Sequence, residues 1–116
     1  MRVKFYKVED QIVFSDKELT VGEELIANTT DGAHEKHVPV VNISDDIVTV
    51  QVGSVLHPMM EAHYIEFVLL QTTTGIHTKW LKPGMDPIAT FKLADGEKVT
   101  TAYEYCNLHG LWKMEV

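Results

Sequence analysis

The sequence of 116 residues contains one cysteine, Cys106, so it has no pair that could form an intramolecular disulfide. No apolar run approaches the roughly 18 residues needed to cross a bilayer. The N-terminal residues include basic side chains but no hydrophobic stretch after them, so we expect no signal peptide and a cytoplasmic location. Linkers rich in Pro, Gly or Ser and internal repeats are also missing.

Basic residues are scarce relative to acidic ones. Ten Lys and Arg against seventeen Asp and Glu give a net charge of −7. Nucleic acids and anionic membranes need a basic surface, so neither is an expected partner. The same overall field would repel an anionic substrate, which is a difficulty for any enzyme that acts on one.

The residues that are present indicate one all-β domain. Apolar residues make up 45% of the chain, enough for a packed core. In residues 47–52, Val48, Val50 and Val52 alternate with polar residues, as in a half-buried strand. Other segments predicted to be extended are 3–8, 11–14, 23–27, 38–43, 63–72, 76–82, 88–93 and 97–105. We expect an immunoglobulin-like β-sandwich of about seven strands, with a barrel as the alternative.

Six histidines accompany the single cysteine, and most lie at predicted strand ends or in loops. Cys106 and His109 are three residues apart, so a thiolate and an imidazole can reach one metal ion. A buried cysteine beside a surface histidine explains that pair equally well. His57 and His63 bracket a loop that begins Pro-Met-Met-Glu, and two unrelated surface histidines would explain this pair as readily.

Glu35, Lys36 and His37 form a third polar element, which alone would be a solvated loop. Taken together, the three elements favour a metal site. Structural zinc prefers four ligands, often several thiolates, and four imidazoles with one thiolate exceed that set. Imidazole with thiolate suits iron or copper.

A blue-copper site is the main alternative. Cys106, His109 and Met114 follow the Cys-His-Met spacing of small copper electron carriers, and one upstream histidine would complete the set. This hypothesis leaves Glu35 and Lys36 without a role. A third hypothesis is a β-sandwich binding module whose histidines are incidental.

Three segments resemble the superoxide reductases, the desulfoferrodoxin and neelaredoxin family. They are residues 35–40 (EKHVPV), 53–66 (GSVLHPMMEAHYIE) and 104–112 (EYCNLHGLW). They occur in the family's order, and the similarity runs from about residue 28 to residue 113.

The resemblance implies one iron ion per chain, alternating between Fe²⁺ and Fe³⁺, with four equatorial histidines and one axial cysteine. The residues at the family's ligand positions are His37, His57, His63, Cys106 and His109. Glu35 would be the sixth ligand in the oxidised state, and Lys36 the catalytic lysine. His34 and His77 match no ligand position and are expected to be surface residues.

In the family, backbone N–H groups two and three residues after the cysteine bond its sulfur. Here these belong to Leu108 and His109, and we expect Leu108 and Asn107 to contact the ligands without binding the metal. Longer family members bind a second iron through four cysteines in an N-terminal domain. Residues 1–27 contain no cysteine. We therefore predict a metal-free N-terminal remnant at 1–27 and an iron-binding β-sandwich at 28–116.

The activity implied by the resemblance is the one-electron reduction of superoxide to hydrogen peroxide, with rubredoxin as the implied electron donor. Family members form dimers or tetramers, so a homo-oligomer is expected. Lys36 would attract superoxide locally. Because the Debye length is about 8 Å at physiological salt, distant acidic residues are screened while a lysine beside the metal is not.

Overall fold

The computed structural model describes residues 2–30 and 37–116, which form ten strands and no helix. The strands are β1 (Lys4–Val8), β2 (Gln11–Ser15), β3 (Glu23–Leu25), β4 (Pro39–Ser44), β5 (Ile47–Val52), β6 (Ile65–Thr72), β7 (Ile76–Trp80), β8 (Ile88–Lys92), β9 (Val99–Cys106) and β10 (Gly110–Glu115). No helix long and apolar enough to cross a membrane occurs in these residues. The all-β prediction is confirmed.

The strands form three antiparallel sheets. One has four strands in the order β10-β9-β6-β7, another has the order β4-β5-β8, and the third has the order β2-β1-β3. The first two face each other and contain seven strands between them, which agrees with the predicted sandwich. Every segment predicted to be extended overlaps a strand. β10 was not predicted, because its burial does not alternate along the strand.

The two central strands of the four-stranded sheet, β9 and β6, are buried on both faces. Val48 and Val50 of β5 pack against Val68 and Leu70 of β6 in the core of the sandwich. The alternate residues of β6 point the other way, into a second cluster that also includes residues of β9 and of the N-terminal sheet. This explains why β6 reads as a nearly continuous apolar run, whereas β5 alternates.

Phe5 of β1 joins the N-terminal sheet to the rest of the chain. It is 2% exposed, and its ring centroid lies 6.1 Å from that of Phe67 and 4.7 Å from that of Tyr103. Asn28, just after this sheet, bridges to β10 at Trp112. The division of the chain at residue 27 stays a prediction.

The loops that carry the candidate ligands lie at one end of the sandwich. Cys106 is the last residue of β9 and pairs with Ile65, the first residue of β6. The β5–β6 loop and the β9–β10 turn therefore emerge side by side. A register shift between Ile65 and Phe67 adds one residue to β6 at this end, a bulge of the kind common beside functional sites.

Candidate metal centre

Five side chains converge at this end of the sandwich, and their ligand atoms all lie within 4.8 Å of one another. They are His37, His57, His63, Cys106 and His109. Sequence reasoning proposed these same five residues. His37 precedes β4, two histidines come from the β5–β6 loop, Cys106 ends β9, and His109 lies in the β9–β10 turn.

His57 is held in the neutral form, with a defined nitrogen available to a metal. The pKa of His57 is lowered from 6.5 to about 4, mainly by burial and also by the charges of three neighbouring histidines, while the hydrogen bond to Pro58 raises it. Its Nδ1–H donates to the carbonyl oxygen of Pro58 at 2.7 Å. That bond leaves Nε2 unprotonated, 3.6 Å from the Sγ atom of Cys106.

The Cys106 thiol is fully buried at the centre of the cluster. Burial raises the pKa of Cys106 above its ordinary value, while hydrogen bonds from the backbone N–H groups of Leu108 and His109 lower it. Those two donors stabilise negative charge on sulfur, so the turn is built to receive a thiolate. A metal ion that binds here replaces the thiol proton.

Trp112 positions two of the ligands, a role that sequence reasoning missed. Its indole stacks on His37 with ring centroids 4.8 Å apart and an interplanar angle of 14°. Its Nε1–H donates to the carbonyl oxygen of His109 at 3.1 Å. The sequence offers one signal for this role: Trp112 lies three residues after His109, the last residue of the Cys-x-x-His turn.

Asn107 connects the two loops that carry His63 and His109. Its Oδ1 accepts from the Tyr64 N–H at 2.9 Å, and its Nδ2–H donates to the carbonyl oxygen of Ala62 at 3.2 Å. The backbone N–H of His63 donates to the carbonyl of Met60, also at 2.9 Å, and closes a tight turn. The side chain of His63 is therefore oriented by its own loop and by the neighbouring turn.

The distances between donor atoms suit a single metal ion. With metal–nitrogen bonds of about 2.1 Å, two nitrogens at a right angle are about 3.0 Å apart, and two opposite nitrogens are about 4.2 Å apart. His37 Nε2 and His109 Nδ1 are 3.1 Å apart, and Cys106 Sγ lies 3.8 Å from His109 Nδ1. Five donors are one more than the four ligands of a closed tetrahedral zinc site. Four imidazoles and one thiolate fit a transition metal such as iron.

The remaining predicted residues lie elsewhere or outside the described part of the chain. Glu35, Lys36 and His34 fall in residues 31–36, which the structure does not describe. His77 is in the middle of β7, where its Nε2 lies 3.0 Å from Glu97 Oε2. It is a partly buried partner of a carboxylate rather than a free surface residue.

The blue-copper alternative is not supported. Gly110 pairs with Cys106, and Met114 pairs with Ala102, four residues further along β10. At about 3.3 Å per residue, Met114 is about 13 Å from the cluster along the strand, too far to be an axial ligand.

The cluster lies apart from the cavity between β4 and β10. That cavity has a volume of about 610 Å³ and is lined by none of the five ligand candidates. Three of the five residues are buried, whereas His63 is half-buried and His109 is exposed. Among the described residues, the centre thus reaches solvent through His63 and His109.

Comparisons with known proteins agree with this site. The sequence model of the desulfoferrodoxin family matches residues 29–115. The desulfoferrodoxin of Desulfarculus baarsii is 50% identical over 88 residues, which cover 76% of this chain and 68% of that protein. The desulfoferrodoxin of Clostridium acetobutylicum is 42% identical over 104 residues, which cover 85% of this chain and 80% of that protein.

Among solved structures, the superoxide reductase from Treponema pallidum superposes with a TM-score of 0.87 at 34% identity, covering 98% of each chain. The one-iron superoxide reductase from Giardia intestinalis has a TM-score of 0.58 at 39% identity, covering 71% of this chain and 99% of that one. The first of these alignments includes the N-terminal strands.

Proposed function

Because the chain belongs to the desulfoferrodoxin family, we propose that it is a superoxide reductase, which reduces superoxide with one electron and two protons to hydrogen peroxide. The observation that carries this proposal is the convergence of four imidazoles and one thiol within 4.8 Å. A substrate of two atoms needs no deep cavity, so a centre with an exposed ligand suits it.

One iron ion would be held by His37, His57, His63, His109 and Cys106. When bound, it would supply the electron for superoxide. The chain's own groups prepare the site for it. Because the pKa of His57 is held near 4, this ligand stays neutral across the physiological range. The two N–H groups directed at the Cys106 sulfur limit how much electron density the thiolate donates.

Lys36 and Glu35 would act at the open side of the centre. Lys36 directly precedes His37 in the sequence, and Glu35 is one residue further back. Lys36 attracts the superoxide anion and orders a water that delivers a proton. This local charge acts on superoxide despite the overall charge of −7, because charges more than about 8 Å away are largely screened at physiological salt. Glu35 would supply a carboxylate ligand to the oxidised iron.

The partners and location follow from the family resemblance. We propose rubredoxin as the electron donor, a homodimer or homotetramer as the assembly, and the cytoplasm as the location. Residues 1–27 act as a metal-free remnant of the N-terminal domain of longer relatives. The absence of cysteine from this segment supports that role, because four thiolates would be needed for the second iron.

Metal analysis combined with reaction stoichiometry tests the function. We expect about one iron per chain in protein from iron-rich medium, and one peroxide per superoxide consumed when ascorbate supplies electrons. Cys106→Ser is the matched loss-of-site variant. A yield of half a peroxide per superoxide would indicate dismutation instead. Copper alone would favour the electron-carrier hypothesis, and a protein without metal would favour an incidental cluster.

A further inference from the structure

A row of aromatic side chains crosses the face of the four-stranded sheet that the N-terminal sheet covers. Phe67 of β6 pairs with Tyr105 of β9 on one side and with Trp80 of β7 on the other. Tyr105 directly precedes Cys106, the thiol among the ligand candidates. Because neighbouring strands lie about 4.8 Å apart, the backbones of Tyr105 and Trp80 are about 10 Å apart. We call Tyr105, Phe67, Phe14 and Trp80 the aromatic row.

The rings of the aromatic row follow one another in contact. The ring centroids of Tyr105 and Phe67 lie 5.9 Å apart with an interplanar angle of 10°. Those of Phe67 and Phe14 are 6.4 Å apart, and those of Phe14 and Trp80 are 6.2 Å apart. These separations are typical of aromatic pairs in contact. An electron therefore has a continuous path through aromatic rings from Trp80 to the residue beside Cys106.

The two ends of the row differ in their access to solvent. Tyr105 is 8% exposed, whereas Trp80 is 63% exposed. Phenol and indole are the aromatic side chains that lose an electron most readily, and the phenyl rings between them lose one far less readily. The row thus has an oxidisable group beside the metal centre and another at the surface, where a small reductant can reach it.

The proposed reaction creates a need for such a path, because it forms hydrogen peroxide at an iron centre. Reduction of peroxide to two water molecules takes two electrons, and ferrous iron supplies one of them when it becomes ferric. If nothing supplies the second, the product is hydroxyl radical, which oxidises thiolates and imidazoles. The ligand residues themselves would be the first groups damaged, and oxidation of a thiolate to the sulfinic or sulfonic acid is not readily reversed.

We propose that the aromatic row supplies this second electron from Trp80, so that the oxidising equivalent of peroxide appears on an exposed indole instead of on the ligands. Peroxide, ferrous iron, Trp80 and one proton give two water molecules, ferric iron and a neutral Trp80 radical. The indole loses one electron and its N–H proton, and the rings between are unchanged at the end. A small one-electron reductant such as ascorbate then returns one electron and one proton to Trp80. This inference rests on the proposed function for its iron and its peroxide.

Trp112, the second tryptophan, gives an internal comparison. Its ring centroid is 4.8 Å from that of His37, so it lies closer to the centre than Trp80 does. It is only 9% exposed, and among the described residues its one aromatic contact is with His37. An oxidised Trp112 would keep the damage inside the site, out of reach of a reductant in solvent.

Addition of peroxide to the iron-loaded, ferrous protein without oxygen tests the row. One equivalent is added, radicals are trapped by rapid freezing for electron paramagnetic resonance, and peptides are analysed by mass spectrometry. We expect a tryptophan radical that is missing in Trp80→Phe, and at least threefold more added oxygen on Trp80 than on Trp112. Ascorbate present from the start should lower the modification of Trp80 at least threefold. Tyr105→Phe should lower it as much, whereas Tyr64→Phe, the matched control beside the ligand candidate His63, should change it less than twofold.

Two controls separate transfer along the row from simple exposure. Protein loaded with zinc, which cannot change its oxidation state, should show no modification of Trp80, and equal modification with zinc and iron would overturn the proposal. Trp80→Phe keeps an aromatic ring at an exposed position, so its iron content and its rate with superoxide should match those of the unmodified protein. Repeated additions of peroxide should release its iron at least threefold faster, because the oxidation then falls on the ligands.

The outcomes also separate this inference from the proposed function. Modification of Trp112 or of the ligands that equals or exceeds that of Trp80 overturns the aromatic row, and so does an unchanged result in Tyr105→Phe. If the protein reduces superoxide but Trp80 stays unmodified, the function stands and the row is wrong. If superoxide is not reduced but Trp80 is oxidised in the iron-loaded protein, the row stands and the function is wrong.

Discussion

Replacement of Asn107 by alanine removes the connection between the loops of His63 and His109. The substitution deletes two side-chain hydrogen bonds, one from the Tyr64 N–H at 2.9 Å and one to the Ala62 carbonyl at 3.2 Å. The five ligand candidates and the core of the sandwich are not altered. We therefore expect the loss to appear in metal affinity rather than in the fold.

The size of the effect follows from the setting of each bond. The bond from Tyr64 is partly buried and is worth about 1 kcal/mol, while the exposed bond to Ala62 contributes about 0.5 kcal/mol. Iron binding in Asn107→Ala has to order the loop of His63 without them. A total of about 1.5 kcal/mol corresponds to a roughly tenfold weaker affinity.

Anaerobic competition for Fe²⁺ against a coloured chelator measures this affinity. Asn107→Asp keeps the oxygen that accepts from Tyr64 and should lose less than Asn107→Ala. Asn42→Ala, an exposed asparagine of β4, is the matched control and should bind iron like the unmodified protein. An affinity of Asn107→Ala within twofold of that control would show that Asn107 does not order the site.

Three further predictions concern the substrate, the aromatic core and the response to pH. Lys36→Ala should slow the bimolecular reaction with superoxide roughly tenfold at low salt and flatten its salt dependence in pulse radiolysis, and an unchanged rate would refute the role of this lysine. Phe5→Ala should lower the free energy of unfolding by about 3–5 kcal/mol in urea without changing iron content, because the ring is buried between the N-terminal sheet and β6. A loss below about 1 kcal/mol would mean that the ring does not join the two. Hydrogen bonds from the Thr72 hydroxyl, the Ala94 N–H and His77, in that order, lower the pKa of Glu97 from 4.5 to about 2. A depressed carboxyl pKa stabilises the fold above about pH 4.5, and this contribution disappears as the pH falls towards 2. Melting curves should therefore show Glu97→Gln less stable than the unmodified protein at pH 6, with the gap closing below pH 4.5, and a gap that does not depend on pH would contradict this assignment.

Local pattern was sufficient to predict most of the strands, because side-chain alternation reports burial directly. The alternating valines of β5 gave the bounds of that strand without error. β6 was predicted two residues too long at its start, since His63 pairs with Met60 in a tight turn rather than continuing the ladder. β10 was missed because Leu111 and Trp112 are both buried, on opposite faces of the strand.

The members of the site could be predicted, but their supports could not. A ligand histidine is visible as a residue type in a loop, whereas the indole of Trp112 acts by stacking on a residue 75 positions earlier in the chain. Likewise the Pro58 carbonyl that sets the tautomer of His57 is a backbone group, which no residue-type pattern reveals. Such contacts depend on tertiary structure, and the sequence only restricts where they can occur.

Cys106 lies at the end of a strand, whereas the four ligand histidines lie in loops. β6 and β9 are the two strands buried on both faces, and the β9 end that carries Cys106 pairs with the start of β6. The thiolate is therefore fixed by the most deeply packed part of the fold. The four imidazoles lie in loops, where polar bonds such as those of Asn107 and Trp112 hold the segments that carry them.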